Sequence, residues 1–360
     1  MQPMAIDQQR RQLLKQALAL TALPFIPACT SVAERQPGLI GCALNGRRGY
    51  QAIVADRQGI PIHRLELPAR GHGVASAGNG HATVFARRPG DYMMVLDYRT
   101  GQMIKMIAAS GKRYFYGHGV YSFDQQWLYV TEGEKRTSQG IIGVYSVEQG
   151  YRKVAEFSGF GIGPHEIIQL DDGRLVVGVG GVHTQGRTPL NLDSMSPSLC
   201  YLSGEGALLD QQHLADAKLS IRHLAQDGQG AVLCGQQYRG TPDDYPALIA
   251  IHKAGQPLRT LKARADQWAR FNHYIASIAA DEHRIIATSP PGNCYGVWDK
   301  HTLELLSLHS LADASGVVAT KEGFYLSSGS GDVIHQRAAT LSRYHSNVLW
   351  DNHWQRIRLS

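Results

Sequence analysis

Two near-identical stretches, Gly71-His72-Gly73-Val74 and Gly117-His118-Gly119-Val120, set the period of this chain. The second histidine follows the first by 46 residues (118 − 72). Looser versions around His165 and His223 follow at intervals of 47 and 58 residues (165 − 118 and 223 − 165). Each interval holds about four short strand-like segments. A repeat of this length, built from four strands, is typical of a β-propeller blade.

Strand-like segments separated by tight turns continue from Leu39 almost to the C-terminus, and they favour antiparallel sheets over helices. Six units of about four strands follow an opening unit that has only three. Segment 348–358 is one further strand without a partner after it. Pairing it with the opening unit completes a blade and removes the exposed sheet edges. We therefore predict an all-β fold, a seven-bladed β-propeller over residues 39–360, with helix only in the N-terminal segment.

The N-terminal segment has the order of an export signal. Paired Arg10 and Arg11 precede a weakly apolar segment, 17–26, that is too short for a stable membrane anchor. We predict a twin-arginine signal peptide over residues 1–28, a linker over 29–38 and a periplasmic location. Ile26-Pro27-Ala28-Cys29 resembles a lipobox, which would make a lipid on Cys29 the only membrane attachment. Cleavage after Ala33 is the alternative and would give a soluble protein.

The bulk composition argues against several classes of function. The chain has 360 residues, a formal net charge of +6 and no lysine- and arginine-rich run, so we expect no nucleic-acid partner. Its five cysteines lack the spacing of a zinc site or a covalent haem. Cys42 and Cys234 lie in strand patterns, and we expect them to be buried as small apolar residues. A disulfide remains open in an oxidising compartment.

The repeat register places one histidine from each of five consecutive blades at the same level of the central channel. From the first blade to the fifth, these residues are His353, His72, His118, His165 and His223. Neutral imidazole is a common ligand of iron, copper and zinc, so the ring is a candidate site for a transition-metal ion. The alternative is structural: each histidine bonds backbone groups of the neighbouring blade, and the flanking glycines allow close approach.

Other polar residues are expected to line the mouth of this channel, where they could orient ligands or bind an anion. These candidates are Glu166, Arg222, Asn352, Asn272, His183 and Arg187. The last two lie in an insertion, 182–197, for which a binding loop and an ordinary surface loop are both open. Run 236–239 and Tyr245 are weaker candidates. The sequence contains no GxSxG, HExxH or P-loop motif, so it leaves enzymatic activity undecided.

Several longer motifs resemble a known family. They are GHGVYSFD (117–124), GIGPHE (161–166), LNLDSMSPSL (190–199), SIRHLA (220–225), ATSPPG (287–292) and WDNH (350–353). In these motifs the chain is similar to the exported bacterial propellers grouped as domain of unknown function 1513. The resemblance covers essentially everything after the signal segment. It implies a seven-bladed propeller in the bacterial periplasm and supplies no catalytic residues.

The same resemblance implies a context. Members of that family are often encoded near imelysin-like and dihaem peroxidase-like periplasmic proteins, which suggests a link to iron or another metal. Our leading hypothesis is a periplasmic propeller that binds a metal ion, or a metal-linked partner, at the histidine-lined channel. One alternative is an interaction scaffold of the cell envelope with structural histidines. Another is a metal-dependent oxidoreductase or a lactonase-like enzyme.

Overall fold

The computed structural model describes residues 35–46, 49–186, 188–338 and 340–357. Apart from Arg35, these residues belong to one compact unit, Gln36–Ser360. The predicted signal peptide, Cys29 and the candidate Arg187 lie outside the described residues. Within the described part of the chain, no helix has the length and apolar character needed to cross a membrane.

The described strands form seven four-stranded antiparallel sheets, which are the blades of a propeller, and one two-stranded sheet in the insertion, β14 (Thr184–Gln185) with β15 (Thr188–Pro189). The first blade consists of β1 (Leu39–Asn45), β2 (Gly49–Ala55), β3 (Pro61–Leu67) and β30 (Leu349–Arg356). The second consists of β4 (Gly71–Ser76), β5 (His81–Ala86), β6 (Tyr92–Asp97) and β7 (Gln102–Ala108). The third consists of β8 (Arg113–Tyr121), β9 (Trp127–Glu134), β10 (Gln139–Ser146) and β11 (Arg152–Ile162).

The remaining four blades follow in chain order. The fourth consists of β12 (Pro164–Gln169), β13 (Leu175–Val179), β16 (Ser198–Leu202) and β17 (Leu208–Gln212). The fifth consists of β18 (Leu219–Gln226), β19 (Ala231–Tyr238), β20 (Ile249–Lys253) and β21 (Arg259–Thr260). The sixth consists of β22 (Ser277–Ala280), β23 (Arg284–Ser289), β24 (Cys294–Asp299) and β25 (Leu305–Ser310). The seventh consists of β26 (Ala314–Thr320), β27 (Gly323–Ser328), β28 (Asp332–Gln336) and β29 (Leu341–His345).

The two ends of the propeller meet in the first blade, as predicted. Its strand order is β3-β2-β1-β30, so the last strand of the chain is the innermost strand of the first blade. Leu39 pairs with Arg356 and Leu44 pairs with Leu349 in antiparallel register. The predicted all-β fold with seven blades and this closure is confirmed. Because β30 covers β1 through backbone hydrogen bonds, the edge of β1 is not open for pairing with another chain.

The core lies between the blades rather than in one central cluster. Successive residues of a middle strand point to opposite faces of the sheet, and each face packs on a different neighbour. Val84 packs with the first blade, whereas Phe85, the next residue, packs with the third. The middle strands are therefore almost fully buried, as β13 and β16 are, while the outer strands β7 and β17 are largely exposed.

Helix is not confined to the N-terminal segment, so that expectation was wrong. A five-residue helix, α1 (Ala265–Ala269), precedes the sixth blade, and a 3-10 turn spans Leu192–Ser194. Trp268 of α1 stacks on Trp298 with ring centroids 5.5 Å apart, which ties the connection to the core. A helix this short completes little more than one turn, so it leaves no periodic pattern in the sequence.

The cysteines match their predicted role as buried apolar residues. Cys42 and Cys234 are buried and free, and so are Cys200 and Cys294. Burial raises the pKa of the Cys200 and Cys294 thiols to about 11. These thiols are therefore protonated at neutral pH and are poor metal ligands.

Candidate metal centre at the propeller hub

The innermost strands bring all five predicted histidines into one buried layer across the channel. They come from β30, β4, β8, β12 and β18 and are His353, His72, His118, His165 and His223. Their exposed fractions are 1% to 9%. Ring centroids of contacting pairs lie 4.5 to 5.9 Å apart. Residues separated by up to 281 positions (353 − 72) thus share one site.

Glycines allow the second and third blades to interlock at this layer. A Cβ on Gly73 would lie 2.4 Å from the carbonyl oxygen of Gly117 and 2.8 Å from Nδ1 of His118. A Cβ on Gly117, whose φ is +101°, would lie 2.8 Å from Cδ2 of His72. Each histidine therefore packs on the glycine of the other motif. This reciprocal contact explains why the repeated unit is Gly-His-Gly and not histidine alone.

A break in strand pairing accompanies each hub histidine. The register between the inner strand and its partner shifts between Gly71 and Val74 around His72, and between Phe115 and Gly119 around His118. Equivalent shifts span the histidines of the fourth and first blades, and in the fifth blade the shift lies at Arg222, directly before His223. A bulge re-aims a side chain that would otherwise follow the strict alternation of a strand. The bulges thus turn the imidazoles towards the channel axis.

Each hub histidine has a buried ring nitrogen without a hydrogen-bond partner. These atoms are Nδ1 of His72, Nε2 of His118, Nδ1 of His165, both ring nitrogens of His223 and Nε2 of His353. A buried polar atom left unpaired costs about 1 to 3 kcal/mol. A purely structural role, in which the imidazoles bond the backbone of neighbouring blades, would satisfy these nitrogens. The arrangement instead leaves a set of nitrogens without partners in a small volume.

The electrostatics of the layer keep the imidazoles neutral. Burial, followed by repulsion from His353 and His118, holds the pKa of His72 well below its usual range. Burial similarly lowers the pKa of His223 and of His353 to about 3. The pKa values of His118 and His165 are also well below normal, again mainly through burial. A neutral imidazole retains a nitrogen lone pair, which is what a metal ion requires.

Two triads within the layer have their ligand atoms within 4.8 Å of one another. One is His72, His118 and His165, and the other is His118, His223 and His353. Nitrogens around a tetrahedral ion, at metal–nitrogen distances of about 2.0 to 2.1 Å, are separated by roughly 3.3 Å. Closing either triad around an ion therefore requires the nitrogens to approach one another by up to about 1.5 Å. His118 belongs to both triads.

Glu166 lies beside the second triad. Its Oε2 is 3.3 Å from Nδ1 of His223, although the two are not aligned as a hydrogen bond. The same oxygen accepts a hydrogen bond of 3.0 Å from the backbone N–H of Leu224. Burial raises the pKa of Glu166. A carboxylate next to a ligating histidine is the usual device that fixes the orientation of the imidazole.

The histidine layer separates two cavities. We call the first the arginine chamber; it has a volume of about 320 Å³ and is lined by His72, Arg87, Arg88, Tyr116, His165, Arg222, Gln237, Tyr238, Arg239, Asn272, His273 and Tyr274. We call the second the glutamate chamber; it has a volume of about 260 Å³ and is lined by residues that include His118, Glu166, Gln226, His353 and Arg356.

Glu166 and Arg222 therefore do not line the same mouth, contrary to the expectation of one shared lining. The inner strands all run through the channel in the same direction. Arg222 precedes its histidine and faces the arginine chamber, whereas Glu166 follows its histidine and faces the glutamate chamber. The spacing of the histidines alone does not show on which side of the histidine layer a neighbouring residue lies.

The other candidates have distinct positions. Asn272 lines the arginine chamber, and the Nδ2 of Asn352 donates to the hydroxyl of Tyr274, another residue of that chamber, at 3.3 Å. The Nδ1 of His183 lies 3.1 Å from Oγ of Ser138. The insertion reaches the arginine chamber through Thr184, whose Oγ1 accepts a hydrogen bond of 3.4 Å from Arg88.

Sequence reasoning missed Arg87, Arg88 and Tyr116. Arg87 and Arg88 directly follow β5, and Ala86 at the end of β5 pairs with Gly71 at the start of β4. The residues after a second strand therefore lie next to the residues before the histidine of the inner strand. Extending the repeat register to the second strand of each blade would have found both arginines. It would also have strengthened the case for Arg239, which follows β19 in the same way.

Comparisons with known proteins find a solved structure with a similar fold and a matching protein family. Among solved structures, the hydrazine synthase of Kuenenia stuttgartiensis matches with a TM-score of 0.59 and 14% sequence identity, over 84% of this chain and 90% of that chain. At this identity the likeness shows the propeller fold alone. A comparison with curated proteins finds no match. The family model described as "Protein of unknown function (DUF1513)" matches residues 65–357. The chain belongs to this family.

Proposed function

We propose that the chain binds one transition-metal ion at the hub, through the histidine layer. The observation that carries this proposal is the set of unpaired, buried ring nitrogens contributed by five blades. An ion coordinated by three of them would offset the cost of their burial, and it would do so with ligands that are already neutral.

The ligand set favours iron, copper or zinc. Imidazole suits these ions, whereas calcium and magnesium require several oxygen ligands. The described cysteines are buried in the blades and belong to neither triad, so a thiolate site has no support. Three histidine ligands would leave a coordination position for water or for a group on a partner molecule.

We extend the proposal to the cellular context. An ion-binding propeller exported by the twin-arginine route would act in the periplasm, free or held by a lipid on Cys29, in the handling of iron or another metal. The paired arginines of the N-terminal segment and the lipobox-like sequence at Cys29 support this context. Imelysin-like or dihaem peroxidase-like envelope proteins are the partners that the family resemblance suggests.

The test compares a hub histidine with a blade histidine of equal burial. His118 belongs to both triads. His252 is also buried and also has an unpaired Nε2, but its Nδ1 is 2.5 Å from the hydroxyl of Tyr201 in the wall of a blade. The full chain and the variants His118→Ala and His252→Ala would be incubated with Fe(II), Cu(II) or Zn(II), desalted and measured by elemental analysis and titration calorimetry.

We expect the wild type and His252→Ala to retain about one equivalent of metal. His118→Ala should bind at least about 100-fold more weakly, because it loses a ligand common to both triads. Thermal melts of the metal-free proteins would show that the variants are folded. A wild type that retains none of the three metals contradicts the proposal, and so does equal retention by His118→Ala.

A further inference from the structure

Arg222 is a buried cation without an acidic partner in the described part of the chain. Its exposed fraction is 3%, and its Nε has no hydrogen-bond partner. Burial, followed by the charges of Arg88 and Arg239, lowers the pKa of Arg222 to about 9. Burial of an unpaired charge is costly, so such groups are normally paired. A buried arginine without an acidic partner does not stabilise the fold, so we look for its role in binding a ligand.

The surroundings of Arg222 are positively charged throughout. Arg87, Arg88, Arg222 and Arg239 line the same chamber, and none of its described lining residues is an aspartate or a glutamate. The remaining lining groups are hydroxyls, amides and imidazoles, which can donate hydrogen bonds to an anion. Four guanidinium groups around one cavity attract anions strongly, because the walls screen the charges less than water does.

The chain makes room for Arg222 at the wall of the chamber. A Cβ on Gly180 would lie 3.0 Å from Cζ and 3.2 Å from Nη1 of Arg222. The glycine thus permits the guanidinium to approach the backbone closely. Arg88, which lines the same chamber, donates a hydrogen bond to Thr184 and lies over the ring of Tyr116, 5.8 Å from its centroid. The arginines are positioned by the fold.

We propose that the arginine chamber is a binding site for a small, multiply charged oxyanion, with Arg222 as its central ligand. The planar guanidinium binds carboxylate and phosphate oxygens through two parallel hydrogen bonds. A chamber of about 320 Å³ is at the small end of ligand pockets, which are roughly 300 to 1,000 Å³. Inorganic phosphate and a tricarboxylate such as citrate share this chemistry. The site does not depend on the metal proposed above.

The experiment measures anion binding by the metal-free full chain. Titration calorimetry and thermal melts with inorganic phosphate and with citrate would be compared for the wild type, Arg222→Met, Gly180→Ala and Arg343→Met. Arg343 is the matched control, because it is paired with Asp332 on the outer surface, with 61% of its side chain exposed. His118→Ala separates this site from the metal site, since the histidine lines the other chamber.

We expect citrate or phosphate to bind the wild type, Arg343→Met and His118→Ala equally. Arg222→Met should bind at least about tenfold more weakly, and its melting temperature without anion should be higher than that of the wild type, because an unpaired buried charge is removed. Gly180→Ala should weaken binding while the charge is kept. Binding of only one of the two anions identifies the source of the oxyanion. No binding of either anion, or equal binding by Arg222→Met, overturns the proposal.

Discussion

The two sides of the histidine layer differ in charge, although the same inner strands build both. The arginine chamber has four arginines and no carboxylate among its described lining residues. The glutamate chamber has one carboxylate, Glu166, and one arginine, Arg356; its other lining residues are uncharged polar groups and apolar side chains. The difference follows the direction of the strands, because residues before a histidine face one chamber and residues after it face the other.

Because of this difference in charge, the two sides of the histidine layer favour different ions. A cation is repelled by the arginine chamber and is accepted next to Glu166, while an anion is attracted to the arginine chamber. Of the two histidine triads, the one that contains His118, His223 and His353 is therefore the better site for a metal ion. Variants of the shared histidine layer should have the largest effects, and variants of single residues that differ between the chambers should have smaller ones.

The largest expected effect is the acid sensitivity of the metal-free layer. The unfolded chain takes up protons on its histidines at pH about 6.5, whereas the folded pKa of both His223 and His353 is about 3. The unfolded state thus binds more protons in this range, and stability that is present above pH 6.5 is lost as the pH falls. At pH 4.5 each of the two histidines should cost on the order of 3 kcal/mol.

Urea denaturation at pH 7 and pH 4.5, in the presence of a chelator, measures this loss. A His223→Leu/His353→Leu double variant should lose less stability between the two pH values, because it lacks the groups that take up protons on unfolding. An unchanged free energy of unfolding of the wild type across this range would show that the imidazoles are not held neutral by burial.

The next effect concerns which side holds the ion. His353 lines the glutamate chamber and His165 lines the arginine chamber. We expect His353→Ala to weaken metal binding about 100-fold, equivalent to about 2.7 kcal/mol, and His165→Ala to weaken it less than about tenfold. Titration calorimetry of both variants measures the difference. The reverse order would place the ion at the triad of the arginine chamber.

The smallest effect isolates the carboxylate. Glu166→Gln keeps the size of the side chain but removes the charge beside His223, whose Nδ1 is 3.3 Å from the carboxylate. Loss of such an orienting group typically weakens metal binding about 10-fold or somewhat more. Binding of phosphate or citrate should be unchanged in Glu166→Gln, and metal binding should be unchanged in Arg222→Met. If either variant altered both metal binding and anion binding, the two chambers would act as one site.

Much of the architecture could be predicted because it is repeated in the sequence. The strand alternation recurs in each blade and the hub histidine in five of them, so the count of seven and the pairing of β30 with β1 followed from spacing. The ring of histidines followed from the same register. The helix α1 could not be predicted, since its position depends on Trp268 stacking on Trp298 of another element.

The chambers were harder to predict than the layer. To predict that Glu166 and Arg222 lie on opposite sides of the layer, one must know in which direction the inner strands run through the channel. The spacing of the histidines does not give this direction. Arg87 and Arg88 join the site through the pairing of β5 with β4, an inter-strand relation. The unpaired state of the ring nitrogens depends on bulges that re-aim the imidazoles, and a bulge has no sequence pattern of its own.

X-ray absorption spectroscopy of the zinc-loaded full chain tests the central claim most directly. We predict at least three imidazole nitrogens at about 2.0 to 2.1 Å, with the outer-shell scattering of histidine rings, and the loss of one nitrogen in His353→Ala. A first shell of sulfur at about 2.3 Å, or of oxygen alone, would contradict a metal centre built from the hub histidines.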